Sequence, residues 1–185
     1  MNRWILFGLV CAVLLLAGCS RVQVSQDYRP GMDFSRYHSY RWQTTTAAAS
    51  QDIRINNPLL QERFRQSIDS ALVMRGYLQA AAADFVVSYD YSIQTRIESE
   101  PMGWSIGAGF GHHYNYGGIG FGSDIGINQY DVGVLVIDFA DAQTGAPIWR
   151  GTASQLASTH STPENTTAYV ERMVEAVLSQ FPPRE

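Results

Sequence analysis

The chain has 185 residues, two cysteines and a formal net charge of −4, and all 13 of its basic residues are arginines. This length allows one domain with a substantial hydrophobic core, since a chain near 150 residues buries roughly 68–70% of its unfolded surface. The arginines are scattered rather than clustered, which argues against a basic surface for nucleic acid.

Residues 1–18 have the pattern of a signal peptide. Arg3 supplies a positive charge, and an apolar run follows over residues 4–17. This run is shorter than the ~20 residues that a membrane-spanning helix needs. It ends in Leu16-Ala17-Gly18-Cys19, which resembles a lipobox, with cleavage between Gly18 and Cys19 and lipid attachment at the Cys19 thiol. The alternative is an ordinary secretory signal followed by an incidental cysteine.

The mature chain, residues 19–185, is therefore expected to be held at a membrane through lipid on Cys19. Several acyl chains on one residue anchor stably, because each buried methylene contributes about 0.8 kcal/mol. Ser20 follows the cysteine where inner-membrane lipoproteins often carry Asp, which favours the outer membrane and a domain facing the periplasm. Because Cys11 leaves with the signal peptide, the domain relies on its core rather than on disulfides.

The first half of the mature chain predicts two strands and a helix. Residues 21–25 alternate as a half-buried strand does and begin close to Cys19, so the tether is short; residues 28–31 suit a turn, and residues 37–42 a second strand. Pro58 sits where a helix accepts proline, with Asn57 or Asn56 as the cap. Gly76 suits the end of this helix. Its apolar stripe is Leu60, Phe64, Ile68 and Leu72.

The second half predicts three strands and a second helix. Apolar and polar residues alternate over residues 84–98, which predicts a strand. Residues 132–139 are apolar on both faces, as a strand covered on both sides would be. After a turn at residues 141–145, residues 148–156 form the antiparallel partner of that strand. Ser161 and Glu164 have capping-box spacing at the start of the last helix, which Pro182-Pro183 stops. The order predicts an α+β domain, with a largely antiparallel five-stranded sheet and two helices packed on it.

Several segments resemble a family of bacterial lipoproteins known as domain of unknown function 4136. These segments are Asp27-Tyr28-Arg29-Pro30, Asp33-Phe34-Ser35-Arg36-Tyr37, Tyr40-Arg41-Trp42, Asn57-Pro58-Leu59-Leu60, Ala83-Asp84-Phe85, Leu135-Val136-Ile137-Asp138, Thr144-Gly145 and Ile148-Trp149-Arg150-Gly151. The resemblance spans nearly the whole mature chain. It implies no activity and no catalytic residues.

Residues 103–126 form a segment rich in glycine and aromatic residues. Its nine glycines carry a large entropy cost on ordering, so a long flexible connection between two strands is the simpler interpretation. The alternative is a recognition loop that docks on a partner or on the membrane surface. The aromatic and imidazole side chains of that loop would be Trp104, Phe110, His112, His113, Tyr114, Tyr116 and Phe121.

One catalytic pattern is a serine-hydrolase arrangement. Gly103-Trp104-Ser105-Ile106-Gly107 matches G-x-S-x-G, and Asp138 or Asp141 and then His160 follow in the hydrolase order. Ser105 would be the nucleophile, His160 the base and the aspartate its orienting group. The pattern lacks its context, since the glycine-rich residues after Ser105 begin a helix poorly.

The sequence patterns for a dinucleotide-binding site and for a zinc site are weaker than the serine-hydrolase pattern. The glycine runs at residues 107–109 and 118–122 do not complete a dinucleotide-binding motif. His112 and His113, with His38 or His160, supply a zinc site poorly because neighbouring histidines on a glycine-rich segment are not held rigidly. We therefore expect no cofactor and no metal. The favoured interpretation is a non-catalytic binding or structural module of the cell envelope with an envelope protein as partner, and the alternative is a small serine esterase.

Overall fold

A computed structural model describes residues 22–44, 52, 54–99, 127–157 and 162–183. Six strands, two helices and a short 3-10 turn follow one another along these ranges. They are β1 (Gln23–Tyr28), the 3-10 turn (Phe34–Arg36), β2 (Ser39–Trp42), α1 (Pro58–Met74), β3 (Leu78–Gln79), β4 (Phe85–Ser99), β5 (Ile127–Asp141), β6 (Pro147–Leu156) and α2 (Pro163–Leu178). Neither helix in this part of the chain is long and apolar enough to cross a membrane.

The six strands form one mixed sheet in the order β1-β6-β5-β4-β2-β3. The prediction of an α+β fold with two helices on one sheet is confirmed, but the prediction of five strands is not exact. The additional strand is β3, whose two residues are too few to give a periodic pattern. The sheet is also less antiparallel than predicted, because β2 runs parallel to both β4 and β3.

The helices begin and end where capping chemistry allows. The Asn57 side chain caps α1 by accepting from the Leu59 N–H at 3.0 Å, and Gly76, with a φ of 88°, ends that helix as predicted. Helix α2 is capped by Thr162, whose hydroxyl accepts from the Asn165 N–H. The cap predicted at Ser161 lies outside the described residues.

The hydrophobic core lies between one face of the sheet and the two helices. Alternate residues of the central strands point into it, among them Phe85, Leu135, Phe139 and Trp149. A side chain this well buried stabilises a fold by about 1.5–3 kcal/mol. Gly151 allows the Trp149 ring and α2 to approach, since a Cβ at residue 151 would collide with Trp149 and with Val177.

The opposite face of the sheet is not covered by either helix. Val134 and Val136 on β5 are half-buried there, between Ser92 and Asp90 of β4 on one side and residues 152–154 of β6 on the other. The prediction that β5 is covered on both sides is therefore wrong for the described part of the chain. Its apolar residues on this face are shielded by neighbouring strands rather than by a second layer.

Strands β4 and β5 extend beyond their neighbours as a two-stranded arm. Strand β6 pairs with β5 only as far as Val132, so residues 95–99 and 127–131 form a two-stranded ladder, joined to the end of β6 by the hydrogen bond from the Ala157 N–H to the Asp131 carbonyl. At the base of the arm the Asp131 carboxylate accepts from Arg54 Nη1 and from the Thr95 hydroxyl, each at 2.7 Å. Arg54 is also paired with Asp52, at 2.8 Å. The arm is thus tied to the segment that precedes α1.

A candidate binding groove at the end of the sheet

A groove of about 940 Å³ opens at the end of the sheet opposite the arm. Its walls come from four parts of the chain: the end of β1, residues 30–38, the turn that follows α1, and residues 182–183. This size is within the range of roughly 300–1,000 Å³ that is typical of ligand sites.

Aromatic rings form one wall of the groove. Tyr28 meets Phe34 edge to face, with ring centroids 5.8 Å apart, and Phe34 meets the buried Phe181 in the same way at 5.7 Å. Tyr77 also packs against Phe181, with ring centroids 5.6 Å apart. Edge-to-face pairs hold rings in defined orientations. The core thus fixes the wall from behind through Phe181, while Tyr28 remains 37% exposed.

The edge of the sheet forms the second wall. Strand β1 pairs with β6 on one side, and no described strand pairs with its other side. Its last three residues, Gln26, Asp27 and Tyr28, line the groove. The Gln26 side chain accepts from the Trp149 indole N–H at 3.1 Å, which ties this edge to the core. The groove therefore brings backbone hydrogen-bonding groups and aromatic rings together.

Polar residues surround the groove and are held by local hydrogen bonds. Asp33 accepts from the Ser35 N–H at 2.9 Å and from its hydroxyl at 2.6 Å, and these bonds lower the pKa of Asp33 below its ordinary value. Arg75 donates to the Ala71 carbonyl and to the Glu175 carboxylate, at 2.9 and 2.7 Å. These contacts fix the shape of the entrance.

The position of His38 in the groove is set by Asp84. The Asp84 carboxylate accepts from the N–H groups of His38 and Ser39, at 3.0 and 2.9 Å, and from the Ser39 hydroxyl at 2.8 Å. The backbone hydrogen bond from His38 is the largest cause of the lowered pKa of Asp84. Because Asp84 precedes β4, it also fixes where β2 starts beside that strand.

The two aspartates of the hydrolase hypothesis are both engaged elsewhere. Asp141 caps the β5–β6 turn: Oδ1 accepts from Gln143 and Thr144, and Oδ2 from the Tyr37 hydroxyl at 3.2 Å and from Arg36. Hydrogen bonds from Thr144 are the main cause of its lowered pKa. Asp138 is paired with Arg150 across the β5–β6 hairpin, on the uncovered face. Ser105 and His160 lie outside the described residues.

Most other sequence-predicted site residues also lie outside the described residues. They are the cleavage and lipidation residues Gly18 and Cys19, and the loop residues Trp104, Phe110, His112, His113, Tyr114, Tyr116 and Phe121. His38 is the described member of the proposed histidine set. Within the described ranges, no three His, Cys, Asp or Glu side chains lie close enough to hold a metal.

Sequence reasoning did not identify the groove, although one signal was present. Tyr28 and Phe34 lie in the two segments that open the family resemblance, residues 27–30 and 33–37. Those residues were interpreted as structural. Their shared position on the groove wall depends on Tyr77 and Phe181, which are far away in sequence.

Solved structures with a similar fold include a PDZ domain protein from Parabacteroides distasonis, with a TM-score of 0.54 and 16% sequence identity. That similarity covers 95% of this chain and 40% of the other, so this chain spans less than half of that protein's length. It concerns the fold alone. Two structures of the PelC dodecamer from Paraburkholderia phytofirmans have a TM-score of 0.45, with 14% and 13% identity over 89% of this chain and 100% of theirs.

No curated protein sequence matches this chain significantly. The model of one protein family does match it, over residues 24–183. That range contains both helices and all six strands, except for Gln23, the first residue of β1. The chain therefore belongs to the family described as domain of unknown function (DUF4136).

Proposed function

We propose that the mature chain is a lipid-anchored, non-catalytic binding module at the periplasmic side of the bacterial outer membrane. Its partner, in this proposal, is an extended segment of another envelope protein, bound in the groove. The lipobox-like residues before Cys19 and the Ser at residue 20 support the anchor and its location. The arrangement of the groove supports the partner class.

The observation that carries the binding proposal is the edge of β1 that pairs with no described strand, beside the aromatic wall. An added strand gains main-chain hydrogen bonds from such an edge, and neighbouring pockets select its side chains. Here Tyr28 and Phe34 stand beside Gln26 and Asp27, so an apolar side chain of an incoming segment would bury against rings while its backbone pairs with β1. Aromatic contacts of this kind commonly dominate binding energy.

The engagement of the described aspartates favours a binding role over hydrolysis. Asp141 accepts hydrogen bonds at both oxygens within its own end of the sheet, and Asp138 is paired with Arg150. A triad aspartate must instead accept from the catalytic histidine and hold its orientation. Either aspartate would have to give up these partners to serve as an orienting group.

The proposal can be tested by photocrosslinking in living cells. A photoreactive amino acid at Ser35 or at His38, both exposed residues of the groove, would lie in the groove, whereas the same residue at Thr152 would lie on the uncovered face. We expect one adduct, shared by both groove positions and absent at Thr152. Tyr28→Ser should remove it, and a matched Tyr130→Ser variant should retain it, because Tyr130 lies on the arm.

A second measurement separates strand addition from general proximity. The crosslinked segment, made as a synthetic peptide, should slow backbone hydrogen exchange at residues 26–28 of purified protein. Failure to protect β1, or crosslinking that persists in Tyr28→Ser, would refute the groove as the binding site.

A further inference from the structure

Three exposed apolar side chains lie at the end of the sheet that carries the arm. Leu59 in the first turn of α1, Ile97 on the arm and Leu156 at the end of β6 are 66%, 70% and 57% exposed. Leu59 is placed at this end because α1 begins there: Arg54 reaches Asp131 at the base of the arm, and the Gln61 carbonyl accepts from Tyr89. These three residues are called the arm-end cluster below.

The same end of the sheet is where β1 begins. Gln23 pairs with Ser154, which pairs with Val134, which in turn pairs with Ser92. From Ser92, strand β4 continues for seven residues to Ser99 at the tip of the arm, which is about 23 Å at roughly 3.3 Å per residue. Strand β1 runs the other way, toward the groove. The arm therefore projects past the start of β1 and away from the groove.

The chain between the lipidation residue and the sheet is very short. Three residues separate Cys19 from Gln23, and a fully extended chain places their Cα atoms at most about 14 Å apart. The arm extends about 23 Å past the level of Gln23. Because the arm is longer than the tether, Cys19 can reach the lipid with this end down only when the strands tilt and the arm lies against the bilayer.

We propose that the arm-end cluster rests on the bilayer surface, so that the groove opens away from the membrane. This inference relies on the proposed lipid anchor at Cys19. The occupant of the cluster is lipid, because the tether holds this end close to the membrane and because the large exposed apolar side chains there, Leu59, Ile97 and Leu156, are aliphatic. Burying them against the acyl boundary removes apolar surface from water.

A second group of exposed apolar residues provides the contrast. Met74, at the end of α1, and Leu78, on β3, are 76% and 67% exposed. Leu78 pairs with Ser39, and the next residue, Tyr40, pairs with Phe85 of β4. Leu78 therefore lies about eight residues, or roughly 26 Å, from the level of Gln23, on the groove side. It is also across the sheet, because β3 and β1 are opposite edges.

The experiment uses the lipidated mature protein in vesicles of phosphatidylethanolamine and phosphatidylglycerol. Lipid blocks the Cys19 thiol, so one introduced cysteine can be labelled alone with an environment-sensitive fluorophore. We would compare Leu59→Cys, Ile97→Cys and Leu156→Cys with Met74→Cys and Leu78→Cys. Spin-labelled lipids in the same vesicles report contact by loss of fluorescence.

We expect a blue shift and loss of fluorescence at residues 59, 97 and 156, with neither at residues 74 and 78. Stronger quenching at residues 74 or 78 than at residues 59, 97 and 156 would overturn the inference. So would the absence of quenching at every position in protein that floats with the vesicles. Either result would leave the proposed lipid anchor intact. Protein that does not float with the vesicles would refute the lipid anchor itself, and the proposed orientation with it. Groove crosslinking is measured separately and is affected by neither result.

Discussion

The hydroxyl groups of Tyr91 and Tyr169 lie 3.3 Å apart above the backbone of Gly133, at the centre of the sheet. Burial raises the pKa of both phenols, so both remain neutral and share one hydrogen bond. The pair joins β4 to α2 directly over β5. Only a residue without a Cβ leaves room for it, because a Cβ at residue 133 would collide with both hydroxyls.

Gly133→Ala is therefore expected to destabilise the protein. Overpacking of this kind costs about 1–3 kcal/mol in the free energy of unfolding. Urea unfolding followed by circular dichroism would measure it. The cost should shrink in a Tyr169→Phe background, where one of the colliding hydroxyls is gone. An equal cost in both backgrounds would show that the hydroxyl pair is not the obstacle.

A second prediction concerns Asp69, which joins α1 to β2. Its Oδ1 accepts from the Tyr40 hydroxyl at 2.7 Å and from the Trp42 indole N–H at 2.9 Å. Asp69→Ala leaves these donors without their acceptor, at a cost of about 1–3 kcal/mol. Asp69→Asn keeps an oxygen at the same position and should cost less. Urea unfolding of both variants checks this order, and equal losses would contradict it.

The third prediction is a pH dependence that originates at Asp84. Its pKa is lowered in the folded state by donors from His38 and Ser39. A lowered folded-state pKa stabilises the protein above the unfolded value of about 3.9, and this contribution is lost as pH falls through the folded-state value. The free energy of unfolding should therefore fall as the solution is acidified below about pH 5.

Asp84→Asn is the matched control for that dependence. It should be less stable than the wild type at pH 7 and should lose less stability on acidification. Asp141 has a lowered pKa in the same direction, so the variant keeps part of the acid response. An unchanged pH profile would show that Asp84 does not contribute to it.

The fourth prediction concerns chemistry. A fluorophosphonate probe labels an activated serine, and we expect it to leave the wild-type protein unlabelled, as it leaves Ser105→Ala. Labelling of the wild type that is lost in Ser105→Ala would establish a nucleophile at Ser105 and revive the esterase alternative. Gel fluorescence of the purified protein is sufficient to distinguish these results.

The parts of the fold that the sequence predicts best are those with a local periodic pattern. Strands β4 and β6 and both helices lie within a few residues of their predicted bounds, because alternation or a helical stripe marks each one. The parallel pairing of β2 had no such signal. It depends on the chain crossing through α1 and on Asp84 holding residues 38 and 39.

The groove was harder to predict for a related reason. Its wall joins Tyr28, Phe34 and Tyr77, with Phe181 behind them, and no short segment contains more than two of these residues. Aromatic residues next to turns are common, so composition alone does not distinguish a groove wall from ordinary packing. The site forms only when Tyr28 and Phe34, near the start of the domain, meet Phe181, near its end, in the folded structure.

That meeting has a consequence for the order in which the chain folds. Strand β1 is the first strand in the described part of the chain, yet its only strand partner there is β6, with Gln23 opposite Ser154. Such a non-local pairing forms late, because the entropy cost of closing a long loop comes before the pairing can stabilise the chain. The first strand that the structure describes thus cannot pair until β6 is available. A nascent chain truncated before residue 147 lacks β6 and leaves β1 without its strand partner.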